Sequence, residues 1–278
     1  MLEASLLQAL EEVPDLAVRL NEPFSRHAEL RVGGPAELWL VPETEAALTA
    51  AVERLAKARV RATVLAGNRV LVRDGGVEGA WIRPGRFAAR LDDRTVGAWV
   101  PAALLGRRAS AAGWRGSHKL MLRSGTVAEA WRDGMLEHVA SVRVLKGRRI
   151  GDLAPDEVRD HHGLLAFTFN PPLALGTAVL ARGREAVARR RGMGPGLPGQ
   201  LMNDSGRTKA AQLMQDANLD GVRVRKARIG RVEPNSVVNL GGATTKDVLL
   251  LTKMVQDRIQ RHSGNRLKPH LKPIGRNR

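Results

Sequence analysis

The sequence predicts a folded α+β protein, and three observations support that fold class. The chain has 278 residues, which at roughly 150 residues per domain suggests two domains, with one or three still open. Hydrophobic residues make up 43% of it, enough burial to offset chain entropy, so a mainly disordered protein is excluded. In the first third of the chain, predicted strands alternate with a helix and have glycines at their junctions, which indicates a mixed α and β unit.

The first 82 residues begin with apolar side chains at near-helical spacing from Leu2 to Leu20. Pro14 is expected to end that helix early, because it lacks an N–H and clashes with the preceding turn. A turn at Gly33-Gly34 leads into a strand, and Thr44 can cap a second helix. The apolar face of that helix comprises Leu48, Ala51, Val52 and Leu55. Strands are expected over residues 36–41, 61–66, 70–72 and 81–82.

The middle of the chain is less regular. Its pattern predicts a helix over 102–112, a strand over 139–145, a hairpin turn over 146–149 and extended chain over 167–180. A basic helix is expected over 181–193, followed by a glycine- and proline-rich loop over 192–199.

The last part of the chain has the clearest periodicity. Residues 210–217 fit a helix, and the alternation of apolar and basic residues from Val222 to Ile229 predicts one half-exposed strand. A second strand is expected over 237–240. Thr244 and Asp247 have the spacing of a capping box, which opens a helix with one apolar face. That face comprises Val248, Leu251, Val255 and Ile259.

Composition excludes several classes of protein. The sequence has no cysteine, which excludes a disulfide framework, a thiolate zinc site and a cysteine nucleophile. No apolar run approaches the ~20 residues that cross a bilayer, and the acidic N-terminus lacks the basic region of a signal peptide, so a cytoplasmic protein is expected. The P-loop and dinucleotide fingerprints are missing. His161-His162 has no cluster of further ligands in the sequence around it, so no metal site is predicted.

The charge has two interpretations. The chain has 45 lysines and arginines and 28 aspartates and glutamates, which gives a net charge of +17. This excess suggests an anionic partner such as nucleic acid, nucleotide phosphates or acidic lipid. Arginine-rich composition also follows from a GC-rich genome and then carries no functional message. The sequence has no tyrosine and only four phenylalanines, which disfavours recognition of single-stranded nucleic acid by base stacking. Beyond Asp257 the tail has no acidic residue and carries Arg258, Arg261, Arg266, Lys268, Lys272, Arg276 and Arg278.

Two blocks of sequence resemble a known family. The first is LRVGGPAELW with VLAGNRVLVRDGGVEGAWIR, and the second is NSVVNLGGATTKDVLLLTKMVQDRI with LKPHLKPIG. In this order and spacing, from about Asn21 to Gly275, they are similar to the UDP-N-acetylenolpyruvoylglucosamine reductases, also called UDP-N-acetylmuramate dehydrogenases or MurB.

The resemblance implies a fold and a reaction. The fold is a two-subdomain, PCMH-like FAD-binding region over 1–82 and 83–192, followed by a C-terminal α/β substrate-binding domain over 193–278. In the reaction NADPH gives hydride to FAD, and reduced flavin passes it to the enolpyruvyl double bond of a UDP-sugar on the way to peptidoglycan. A protein group protonates the neighbouring carbon, and positive side chains stabilise the negative charge that develops.

The resemblance also assigns flavin-binding residues. Arg31, Gly33 and Gly34 match the first flavin motif. Gly67 and Asn68 fall on a shortened loop at the flavin pyrophosphate, and Gly125 and Thr126 match the core of a second loop. At Glu129, in that second loop, a carboxylate stands where the family has glycine.

Carried over in the same way, the catalytic and substrate-binding positions are partly replaced. The enolate-stabilising arginine matches Arg159, the terminal catalytic glutamate aligns with His270, and the proton-donating serine aligns with Gln200, so that Ser205 serves only in a shifted alignment. The substrate-contacting residues are Asn235 and Arg231, the latter beside Val232, which aligns with a phosphate-binding lysine. For Arg159 and His270 a plain surface position stays open, as do turn roles for Asn235, Asn239 and the glycine pairs.

Two functions follow. The first is a divergent reductase of this family, which uses FAD and NADPH on a UDP-sugar substrate. The second is a catalytically degraded relative retained as a basic binding or structural protein, with nucleic acid as a candidate partner. It is motivated by Gln200, Glu129 and the basic excess. The oligomeric state is left open by both.

Overall fold

The computed structural model describes residues 3–92, 94–114, 117–121, 125–170, 199–205, 208–231 and 233–277. The expected basic helix over 181–193, the expected loop up to residue 198 and Val232 lie outside the described residues. The chain divides into two compact units, each built from discontinuous segments. Within these described ranges, the first unit comprises the segments 3–22, 36–68 and 78–170, and the second comprises 23–35, 69–77 and 199–277, each with the gaps given above. The division into domains 1–82, 83–192 and 193–278 stays a prediction.

Helices and strands are interspersed along the described chain. Up to residue 82 they are α1 (Ala4–Glu11), β1 (Leu16–Pro23), β2 (Pro35–Pro42), α2 (Glu45–Lys57), β3 (Ala62–Val64), β4 (Leu71–Val72) and β5 (Val77–Ile82). The next are β6 (Thr95–Gly97), α3 (Ala102–Ala111), α4 (Ser117–Met121), α5 (Val127–Arg132), β7 (Val139–Lys146), β8 (Arg149–Leu153) and β9 (Gly163–Phe169). The last are β10 (Gly199–Gln200), α6 (Ala210–Asp216), β11 (Arg223–Val224), β12 (Ala227–Ile229), β13 (Ser236–Asn239), α7 (Thr245–Ser263) and β14 (Pro273–Ile274).

The first unit contains two sheets. One has the strand order β1-β2-β5-β3, in which β3 pairs parallel to β5. The buried leucines of α1 and α2, Leu10 and Leu48 among them, share a core with Leu38 and Leu40 of β2. The other sheet is antiparallel with the order β6-β9-β7-β8. Its core joins side chains of β7 and β9 to α3 and α5, which places the start of α5 against buried apolar surface.

The second unit has its own core. Its antiparallel sheet has the order β10-β13-β12-β11, and β14 pairs parallel to β4. The apolar face of α7 is buried in this core as the sequence predicts, at Val248, Leu251, Val255 and Ile259. The same core includes Leu30, Leu71, Met202 and Leu267. Residues far apart in sequence are therefore brought into one packed cluster around α7.

Both predicted helix caps are confirmed. Thr44 Oγ1 accepts a hydrogen bond from Ala47 N at 3.1 Å and opens α2. In the capping box of α7, Thr244 Oγ1 accepts from Asp247 N at 3.2 Å, and Asp247 Oδ2 accepts from Thr244 N at 3.2 Å. These bonds satisfy N–H groups that have no partner inside a helix.

The structure corrects one predicted strand and shows where the first helix ends. The run Val222 to Ile229 is not one strand, because Arg225 has a φ of 50° and the chain reverses there. Val224 pairs antiparallel with Ala227, so the run forms the two-stranded hairpin β11–β12. The helix α1 ends at Glu11, before Pro14 as predicted, and the leucine spacing beyond Pro14 belongs to strand β1.

Candidate functional site

Four of the predicted flavin-binding residues lie together in the first unit. Gly67 and Asn68 follow β3, and Gly125 and Thr126 directly precede α5. Thr126 Oγ1 donates a hydrogen bond to Ala66 O at 2.9 Å, which joins the two segments. The structure thus brings together two loops that are about sixty residues apart, as the bond's sequence separation of 60 shows.

Glu129 occupies the space beside these loops. Its Oε2 accepts a hydrogen bond from Thr126 N at 2.8 Å, and its own N donates to Thr126 Oγ1 at 3.2 Å. The residue is 8% exposed. A Cβ atom at Gly67 would lie 2.8 Å from Glu129 Cγ and nearer still to the carboxylate. Gly67 therefore accommodates the side chain of Glu129.

An unpaired polar atom next to Gly67 fits a ligand. In the described part of the chain no hydrogen-bond partner reaches Asn68 Oδ1, although this atom is buried. A buried acceptor without a partner costs about 1–3 kcal/mol. FAD, the cofactor that the resemblance implies, carries ribityl and ribose hydroxyl donors that can satisfy it. The glycine loops and Asn68 therefore fit FAD, although the carboxylate of Glu129 beside Gly67 carries the same sign of charge as its phosphates.

Arg159 lies on a turn after β8 in the first unit. Its exposed guanidinium donates from Nη1 to Asp156 O at 2.6 Å, and its backbone N donates to His162 Nδ1 at 3.1 Å. Burial of His162, together with the charges of His161, Lys146 and Arg159, holds the pKa of His162 below its ordinary value. The neutral ring thus keeps the lone pair that accepts the Arg159 N–H, and this bond orders the turn that presents Arg159.

In the second unit, the predicted flavin residues Gly33 and Gly34 pack against another backbone segment. Gly34 N donates to Arg73 O at 3.2 Å. A Cβ atom at Gly34 would lie 2.6 Å from Gly76 N, and one at Gly33 would lie 2.9 Å from Phe24 Cβ, at a φ of +123°. The structure thereby supplies the turn role that the sequence left open for this pair. A contact of these glycines with flavin stays a prediction.

Arg31 precedes this turn and is exposed. Its φ is 50°, and the side chain of Asn239 donates from Nδ2 to Leu30 O at 3.0 Å and to Arg31 O at 3.2 Å. Asn239 Oδ1 also accepts from Gly241 N at 2.9 Å. Asn239 therefore acts as a backbone clamp, as its alternative turn role predicts.

The segment 200–203 brings Asn235 and His270 together in the second unit. Asn235 Nδ2 donates to Met202 O at 2.8 Å, and its Oδ1 accepts from Met202 N at 2.9 Å. His270 N donates to Leu201 O at 2.9 Å. Gln200, at the position of the family's serine, donates from Nε2 to Met202 O at 2.9 Å. Both ends of the Asn235 amide are thus engaged with backbone.

His270 has a protein partner on each ring nitrogen. Its Nδ1 lies 2.7 Å from Asn203 Oδ1, and its Nε2 contacts Arg69 Nη2. Arg69 Nε lies 3.8 Å from Glu29 Oε2, with the two side chains 8% and 7% exposed. In this arrangement His270 lies beside a buried ion pair.

Sequence reasoning missed Arg69 and Glu29. The available signal is the position of Arg69 directly before the apolar run Val70-Leu71-Val72, because a charge placed next to a buried strand needs a partner. The identity of that partner could not be read from spacing, since Glu29 and His270 are distant in the chain.

Ser205 and Arg231 are both exposed residues of the second unit. Ser205 N donates to Thr208 O at 3.1 Å in a small turn. The neighbouring Asp204 accepts from Lys209 Nζ at 2.8 Å and from Ala210 N at 2.9 Å, and these bonds hold the pKa of Asp204 below its usual value. Ser205 continues the segment that carries Asn203, whereas no described bond connects Arg231 to it.

The described ranges of the chain contain no group of three or more His, Cys, Asp or Glu residues that could hold a metal ion. None of their helices combines the length and apolar character of a membrane span.

The chain is similar to several known proteins. Residues 166–274 match the family model described as UDP-N-acetylenolpyruvoylglucosamine reductase, C-terminal domain. The UDP-N-acetylenolpyruvoylglucosamine reductase of Syntrophotalea carbinolica is 31% identical over 97% of this chain and 98% of its own length. The protein of the same name from Rubrobacter xylanophilus is 28% identical over 93% of this chain and 96% of its own.

A solved structure agrees with this result. UDP-N-acetylenolpyruvylglucosamine reductase (MurB) from Thermus caldophilus matches with a TM-score of 0.71 and 26% identity. The match covers 94% of this chain and 99% of that one, so the predicted α+β fold class of this family is confirmed. All three of these proteins carry the name of the reductase, and none of their names mentions nucleic acid. They give no support to the alternative of a degraded relative that binds nucleic acid. With 31% identity across almost its full length, the chain belongs to the UDP-N-acetylenolpyruvoylglucosamine reductase family.

Proposed function

We propose that this chain is an FAD- and NADPH-dependent reductase of the enolpyruvyl double bond of UDP-N-acetylglucosamine enolpyruvate, in the synthesis of a peptidoglycan precursor. The observation that carries the proposal is its similarity to reductases of that name over 97% of its length. The fold of the solved relative over 94% of the chain adds independent support.

FAD supplies, when bound, the chemistry of accepting a hydride from NADPH and passing it on. In the first unit Gly67, Asn68, Gly125 and Thr126 would hold it. The glycines allow backbone to approach a ligand closely, and Asn68 Oδ1 offers a buried acceptor. In the second unit Arg31, Gly33 and Gly34 are the proposed flavin-binding residues, with the Arg31 guanidinium exposed.

Arg159 is the proposed stabiliser of the negative charge that develops as hydride adds to the substrate. Its guanidinium is oriented by Asp156 O and Val158 O, at 2.6 and 3.2 Å from Nη1. Among the described residues no hydrogen bond engages Nη2 or Nε, so both keep donors for an anionic oxygen. A fixed cation aimed at developing charge lowers the barrier because it needs no reorganisation during the reaction.

The remaining proposed site residues lie in the second unit. Asn235 and Arg231 are assigned to the substrate, and Ser205 and His270 are the candidate proton donors. His270 contacts Asn203 and Arg69 through its two ring nitrogens in the described arrangement, so it can reach a substrate only after one of these contacts opens. A histidine donor makes activity fall as pH rises through the imidazole range, whereas a serine donor does not.

The purified chain tests the proposal directly. Incubated with FAD and freed of excess ligand, it should show flavin absorbance. It should then oxidise NADPH only when the enolpyruvyl substrate is added. A chain that binds FAD yet never turns over this substrate would remove the assigned reaction, and one that never binds FAD would remove the flavoenzyme itself.

A residue-specific test uses Arg159→Met with Arg148→Met as its matched control. Both are exposed arginines of the first unit. Loss of the proposed charge stabilisation should lower kcat about 100-fold with little change in KM, while the control keeps the wild-type kcat. Equal kcat values for the two variants would dismiss Arg159 as a catalytic residue.

A further inference from the structure

We infer that Glu129 weakens the binding of phosphate-bearing flavins to the first unit, because its carboxylate fills the space beside Gly67. This inference rests on the proposed function, which assigns Gly67, Asn68, Gly125 and Thr126 to FAD. It goes beyond that function in naming the residue that sets how tightly the cofactor is held.

Glu129 lies directly against Gly67. A side chain at Gly67 would collide with Glu129, 2.8 Å from its Cγ and nearer to its carboxylate. The bare backbone that a glycine could offer to a ligand is therefore in contact with a side chain of the protein itself. Glu129 is 8% exposed, so its carboxylate is enclosed by the fold.

Hydrogen bonds hold the carboxylate in this place. Oε2 accepts from Thr126 N at 2.8 Å, as the reciprocal half of the box whose other half joins Glu129 N to Thr126 Oγ1. Thr126 is in turn bonded to Ala66 O at 2.9 Å. A ligand that needs this space must displace a hydrogen-bonded side chain and not only solvent.

The three common flavins differ in charge. FAD carries two phosphates, FMN carries one and riboflavin carries none. Like charges repel more strongly where protein excludes water than in bulk solvent. Glu129 should therefore oppose FAD and FMN and leave riboflavin unaffected, so the chain holds FAD loosely and exchanges it with solution.

The experiment compares wild type with Glu129→Gln. Glutamine also closes a capping box, so this variant keeps an acceptor for Thr126 N and removes the negative charge. Dissociation constants for FAD, FMN and riboflavin are measured by quenching of flavin fluorescence. We expect FAD to bind about tenfold tighter to the variant, FMN to gain less, and riboflavin to be unchanged.

The matched control is Glu157→Gln. Glu157 is an exposed residue of the same unit whose Oε2 accepts from Ala154 N at 3.0 Å, so it undergoes the same change of charge and bonding away from Gly67. It should bind all three flavins as the wild type does. Far-UV circular dichroism confirms that both variants keep the fold.

Every outcome bears on the inference. FAD binding by Glu129→Gln that equals or falls below that of wild type overturns it, as does an equal gain for riboflavin. A gain seen only in Glu129→Gly assigns the effect to bulk and also overturns the role of charge. In each of these results wild type still binds FAD, and the proposed function stands. If no variant binds FAD, the proposed function fails and the inference with it.

Discussion

Arg69 and Glu29 form an ion pair whose side chains are 8% and 7% exposed. Removing one partner of a buried ion pair leaves the other charge buried with less compensation, which typically costs about 3–5 kcal/mol. Arg69→Met should therefore lower the free energy of unfolding by roughly 3 kcal/mol, measured by urea denaturation.

The comparison for that variant is Arg86→Met. Arg86 Nε lies 3.2 Å from Glu43 Oε2, but its side chain is 90% exposed, and water screens such pairs to about 0–1 kcal/mol. The same loss of stability in both variants would show that burial of the Arg69 pair has no energetic consequence.

His162 is the residue whose titration should be visible in stability. Its pKa in the folded protein lies below the ordinary value of 6.5, mainly because it is buried. The unfolded chain therefore binds more protons as pH falls through about 6.5, and the free energy of unfolding decreases from there down to the folded-state pKa. The slope from this group is at most about 1.4 kcal/mol per pH unit.

Urea denaturation at a series of pH values between neutral and acidic measures this slope. His162→Gln keeps an acceptor for Arg159 N and removes the titration, so its stability should vary less with pH than that of wild type. His262→Gln, at an exposed position of α7, should keep the wild-type slope. An unchanged slope in His162→Gln would exclude His162 as the source.

At the scale of elements, the packing of the Gly33-Gly34 turn on the loop after β4 leaves no room for side chains. A Cβ atom at Gly34 would lie 2.6 Å from Gly76 N and 2.7 Å from Asp74 C, and backbone atoms cannot rotate away. Gly34→Ala should destabilise the protein by at least about 2 kcal/mol.

Gly151→Ala in β8 is the control for that change, because a Cβ there meets nothing within 4 Å. It should be neutral or slightly stabilising, since alanine lowers the entropy of the unfolded chain. The midpoints of thermal unfolding of the two variants are compared. Similar midpoints would mean that the loop after β4 moves aside at little cost in free energy.

At the scale of the whole molecule, each unit has a hydrophobic core of its own. The five tryptophans of the sequence all lie in the segments 36–68 and 78–170 of the first unit. Tryptophan fluorescence therefore reports on the first unit alone, while far-UV circular dichroism also reports on the 19-residue helix α7 of the second.

Chains of this size with separate cores often depart from two-state unfolding. We expect the fluorescence and circular dichroism transitions in urea to have different midpoints. Coincident transitions with one common midpoint would show instead that the two units unfold as a single cooperative body.

Most elements could be predicted from the sequence, because their signals are local. Thr44 and Thr244 with Asp247 mark helix starts by side chains that bond N–H groups three residues away. Pro14 separates α1 from β1 for a reason confined to its own ring. The hairpin at Arg225 was missed, because alternation fits one strand as well as two and the positive φ has no glycine to signal it.

The candidate site could be predicted only in part. The pairing of the Gly67 and Gly125 loops agrees with the family resemblance, and their role in flavin binding stays a prediction. The bonds of Asn235 and Asn239 to backbone, and the contact of Glu129 with Gly67, join residues that no sequence period relates. Such contacts depend on how distant segments pack.

The sequence by itself determined the family, the fold class and the positions of most helices and strands, since these follow from local propensity, apolar periodicity and two long motif blocks. Only the tertiary structure decided that His270 contacts Arg69 of the Arg69–Glu29 pair, and that Glu129 lies against Gly67. Charge and hydrogen bonding between residues far apart in the chain are set by packing, and packing distances are not encoded in any local pattern.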